Sequence, residues 1–184
     1  GDWSSDVCSS DLFYYILIAI SIVFTLKYLV QLLLLNKKYR PTLTLQQLKI
    51  YNKKIQNYLE SENPIFKIQK KVTLCLFLVI NLFLGLVFPN LIQFINQNKL
   101  ENKRLVSLYI GIASIILSIL VLFNLKMDIN KDKILCQYLK RQPKNELGVI
   151  QINKGEKEKI LNVCKKFGIS LLVCGLLFVI HYFF

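Results

Sequence analysis

Apolar residues in this chain gather into four long runs, set apart by polar and mostly basic segments. The runs cover residues 13–35, 72–95, 105–125 and 167–184. A helix crosses the hydrocarbon core of a bilayer with about 20 apolar residues. The pattern therefore predicts an all-α integral membrane bundle of at least four transmembrane helices. Run one carries Lys27 and Gln31, so its uncharged part is shorter, 13–26. Run two contains Asn81, Gly85 and Pro89, run three has no charge, and run four has His181 near its end.

The segments between the runs have their own periodicity. In 36–71, Thr44 and Gln47 match a capping box, in which a Thr side chain caps the first turn and a Gln reaches back. Leu45, Leu48, Tyr51, Ile55 and Tyr58 follow at helical spacing, with lysines on other faces, and Asn63-Pro64 ends the pattern. In 126–166, Asp128 or Asn130 is expected to cap a second amphipathic helix that runs to Gln142. A short extended piece is expected over 148–152. A last helix is expected to start near Gly155 and to continue into run four. The two amphipathic helical loops either pack on each other beneath the bundle, the preferred arrangement, or lie on an anionic leaflet.

Charge orients the bundle. Residues 36–71 hold nine basic residues against Glu60 and Glu62, and residues 126–166 hold eleven against five acidic ones. The short connection 96–104 has only Lys99, Lys103 and Arg104, with Glu101. The positive-inside bias then places both long loops in the cytoplasm and the short hairpin outside. The expected location is a plasma (inner) membrane, with the lipid bilayer as first partner and anionic lipid contact by the basic loops. Nucleic acid is not expected, because the basic residues separate apolar runs instead of interleaving with aromatics on a soluble fold.

Residues 1–12 resemble a short-read sequencing adapter translated in one frame. The resemblance implies a non-native segment and a fragment whose true start is missing. Residues 13–184 are then the four-span membrane domain, with 24 basic and 8 acidic residues. A weak repeat runs through it. Leu-rich stretches ending in Asn36 and Asn124 precede the two basic loops, and Lys70-Lys71 and Lys165-Lys166 precede runs two and four.

Candidate chemistry is sparse. Lys27 is expected to snorkel its ammonium toward the headgroups, the alternative being a cation lining a path. Asn81, mid-run, is expected to hydrogen-bond across the bundle, with a substrate path as the sharper reading. His181 is expected to anchor at the interface beside Tyr182 and Phe183. Gly111, Ser114 and Ser118, and Ser170 with Cys174, form small-residue faces suited to close helix packing and oligomer formation. The stretch from Asp128 resembles a calcium loop only at its start, because Lys133 and Leu139 replace the required Gly and Glu. One His excludes two-His metal sites within this sequence, and no cofactor or catalytic residue is expected. The sequence points to a non-enzymatic accessory or interaction subunit, the alternative being a piece of a transporter or channel.

Overall fold

The structure is a computed structural model, and it describes residues 3–38, 44–97, 100–142, 144–150 and 153–183. Side chains of 3–11, 96–97 and 100–102 lie outside the description, as do Arg40, Pro41 and Pro143. Five helices follow in order: α1 (Trp3–Lys38), α2 (Leu45–Glu62), α3 (Ile65–Gln97), α4 (Leu100–Arg141) and α5 (Lys154–Phe183). Four of them, all but α2, are long and apolar enough to cross a membrane.

The four long helices stand in a row, in the order α1, α5, α4, α3. Among the described residues, the backbone of α1 approaches that of α5 alone, and α3 meets α4 and α2. Each helix runs opposite to its neighbour, because successive long helices are joined at alternate ends. The inner pair is held by small residues. A Cβ at Gly175 would stand 2.8 Å from the Gly111 carbonyl oxygen, and one at Gly111 would stand 2.9 Å from that of Gly175. Only a residue without a side chain permits this backbone approach, the usual device of helix pairs in lipid. Ser118 lies on the same face of α4 and is fully buried. The outer helices are the least buried: Leu33 and Leu34 of α1, and Leu82 and Phe88 of α3, are exposed.

The basic end carries a second core. Ile55 and Leu59 of α2, Phe66 of α3, Met127, Leu135 and Tyr138 of α4, and Val149 pack into one buried cluster. The Tyr58 and Tyr138 rings meet edge to face, 5.0 Å apart. Leu147 N–H donates to Tyr138 Oη at 3.0 Å, and Asn145 Oδ1 accepts from Val149 N–H at 2.8 Å, which folds 145–149 onto this core. The amphipathic segments thus pack together. The capping box on α2 is present: Thr44 Oγ1 accepts from Gln47 N–H, and Thr44 N–H donates to Gln47 Oε1. α2 gives way to α3 at Asn63-Pro64.

Two sequence expectations are corrected. Neither Asp128 nor Asn130 caps a new helix; α4 runs unbroken from run three to Arg141. An Asp or Asn favours a cap only where the chain offers a break, and Met127, Leu135 and Tyr138, buried in the cluster with α2, keep the helix going. Gly148 has a φ of 62°, so the expected extended piece does not begin there, and Gln151 and Ile152 lie outside the described residues. The continuous α4 also separates the two halves of the weak repeat, since α1 ends at Lys38 and α2 is a separate helix. The last expected helix does start near Gly155 and continues through run four as α5.

Candidate functional site

Polar side chains inside the row fall into three groups. At the hairpin end, Tyr15 of α1, Lys103 and Ser107 of α4 and His181 of α5 come together. Lys103 and Ser107 are one turn apart on α4, and Phe178 and His181 one turn apart on α5, so each pair shares a helix face. Lys103 Nζ donates to Tyr15 Oη at 2.6 Å, and the Tyr15 and His181 rings stand 5.2 Å apart. Ser107 Oγ donates to the Phe178 carbonyl at 2.9 Å and lies 3.2 Å from His181 Nδ1.

The serine has one proton, and the Phe178 carbonyl takes it. His181 Nδ1 stands as a second hydrogen-bond neighbour of the same hydroxyl. The cluster joins three helices: Tyr15 to Lys103, Ser107 to Phe178, and Tyr15 to His181. The interface position expected for His181 is joined by a partner the sequence did not suggest. Ser107 lies 74 residues from His181, and only the antiparallel α4–α5 packing brings them together.

A second group lies between α1 and α5. Thr25 Oγ1 donates to the Ser21 carbonyl at 2.8 Å, so Ser170 Oγ supplies the proton of the 2.7 Å contact between Thr25 and Ser170. Lys27 is exposed on α1, its Nζ 6.0 Å from the Phe24 ring centroid. The contacts of Tyr15 with His181 and of Thr25 with Ser170 fix the α1–α5 register. Continued by two or three residues, this register puts Lys27 within one turn of Lys166, at the basic end of run four.

The third group is at the basic edge of α3 and α4, where Asn124 Oδ1 accepts from Gln69 Nε2 at 3.0 Å and Thr73 Oγ1 at 3.3 Å. Asn81, expected to bond across the row, does not. Its Nδ2 donates to the Phe77 carbonyl of its own helix at 2.8 Å, and the side chain is exposed. The reason is rotational: Asn81 shares a face with Leu78, Gly85 and Phe88, all turned away from α4. Lys27, Asn81 and His181 are therefore on three separate surfaces, not one site. No group of three or more His, Cys, Asp or Glu among the described residues is arranged to hold a metal ion.

The chain matches no family model, no curated protein and no solved structure. Its architecture is that of a multi-pass membrane protein with four apolar helices.

Proposed function

We propose that this protein is a non-enzymatic accessory subunit of the membrane that associates with a partner helix along the outer face of α3. One observation carries the reading: an amide, Asn81, faces outward from the middle of an apolar helix. An amide facing hydrocarbon leaves hydrogen-bonding capacity unmet, and a neighbouring helix supplies it at about 0.6–2 kcal/mol. Gly85 lies one turn on, and a Cβ there would meet nothing within 4 Å. The face therefore has both a polar handle and space for close backbone approach. The row supports the same reading, because it leaves α3 with one long neighbour.

The test is site-specific photo-crosslinking in native membranes from Phe88, which is 70% exposed on this face. The expected result is one adduct of defined mass that disappears in the Asn81→Leu variant while the protein stays folded. No adduct, or one indifferent to Asn81→Leu, overturns the reading.

A further inference from the structure

A groove of about 410 Å³ runs along the lipid-facing seam of α1 and α5. Leu17 and Leu177 line one end, Phe24 and Val173 its middle, and Tyr28 and Lys166 the other end. Its walls offer apolar surface along most of their length. The hydroxyls at its floor are already spent: Ser21 Oγ donates to the Ile18 carbonyl, and Ser170 and Thr25 satisfy each other. The polar residues at its basic end are Lys166 and Tyr28. Lys27 stands within a turn of Lys166 by register, against the Phe24 ring. Neither lysine has a carboxylate within ion-pair distance among the described residues.

From Leu17 to Tyr28 the groove extends about 16 Å at 1.5 Å per residue. An extended hydrocarbon chain can lie along a groove of this length and volume. An apolar groove with Lys166 at one end, and Lys27 at the same level of α1 by register, matches a molecule with a long tail and an anionic head. Basic pockets between membrane helices at the positively charged side are suited to anionic headgroups.

We propose that the α1–α5 groove binds one anionic phospholipid, its acyl chain along Phe24 and Val173 and its phosphate at Lys166 and Lys27. The site gives Lys27 a role beyond snorkelling and lies on the opposite side of the row from the α3 face. The two proposals stand or fall separately.

The experiment uses the full chain in phosphatidylcholine vesicles, with Trp3→Phe to remove the single tryptophan and Phe24→Trp as reporter. Quenching is compared for brominated phosphatidylglycerol and brominated phosphatidylcholine at equal mole fraction. The expected result is a preference for the anionic lipid of about fivefold per lysine. That preference falls to near unity when Lys27→Gln and Lys166→Gln are combined, and Lys166→Arg keeps it. A Phe88→Trp reporter on α3 shows no preference. Equal quenching by both lipids overturns the proposal. So does an equal preference at Phe88→Trp, or a preference unaffected by the paired neutralisation. Should the paired variant fail to fold, raising salt on the unaltered lysines replaces it, and the preference must then fall at Phe24→Trp.

Discussion

Ser118, with no exposed surface, donates its hydroxyl proton to the Gly168 carbonyl oxygen across the α4–α5 seam at 2.6 Å. The contact exists because Gly168 has no side chain to hold α4 away; a Cβ there would stand 2.8 Å from Leu122 Cδ2. Replacing Ser118 with Ala removes the bond and a small volume. The expected loss is about 1 kcal/mol, since the Gly168 carbonyl belongs to α5 and interhelical bonds in lipid are modest. Unfolding in a mixed-detergent titration measures it; an unchanged midpoint shows the bond to be energetically idle.

Gly175→Leu is expected to cost more. Its Cβ alone would meet the Gly111 oxygen and Ile115 Cγ1, both at 2.8 Å. The helices must separate, and overpacking of this kind costs about 1–3 kcal/mol. The same titration reports it, and Gly85→Leu on the open face of α3 serves as the contrast with little expected change.

Thr44→Ala should loosen α2 without disturbing the row. Loss of an N-cap costs about 1 kcal/mol, and the orphaned donor is the Gln47 amide. Amide exchange at Gln47 and Leu48 should accelerate while exchange at Ser118 stays slow. Equal acceleration at both would mean that the basic-end core and the row unfold together.

The Tyr58 phenol is pushed above its ordinary value, first by burial and then by the neighbouring Glu62 carboxylate. The folded chain therefore holds this proton to higher pH than the unfolded chain. The stability tied to it is fully present below the ordinary tyrosine value of 10.0 and is lost as pH rises through the folded value. Glu62→Gln should lower the Tyr58 titration midpoint, read as the absorbance difference from Tyr58→Phe. No movement would remove Glu62 from the account.

A reporter inserted between Asn98 and Lys103 should appear on the outer side, because the two long basic segments share the other end. Signal from the inner side would invert the assignment of both ends.

Much of the architecture is carried by local pattern. The apolar runs mark the four long helices, and the Thr44–Gln47 box marks the start of α2, because a capping box needs only four residues. The continuity of α4 through Asp128 and Asn130 is not legible in that way. Those residues suit a cap or an exposed helix face equally, and burial of Leu135 and Tyr138 against α2 decides. The direction in which Asn81 points depends on which helix becomes its neighbour. The meeting of Ser107 with His181, and of Thr25 with Ser170, follows from pairing order and register between helices. The run pattern contains neither.

α4 has 42 residues, so as a straight helix it is a rod of about 63 Å. It passes from the hairpin end, between α3 and α5, into the Tyr138 cluster without a joint. The membrane row and the basic-end core therefore share one shaft. A tilt of α4 caused by lipid entering the α1–α5 seam, or by a helix seated on α3, swings Tyr138 and the α2 packed on it through an arc set by the rod's length. Because α4 is unbroken, the row and the basic-end core have no joint between them along this helix.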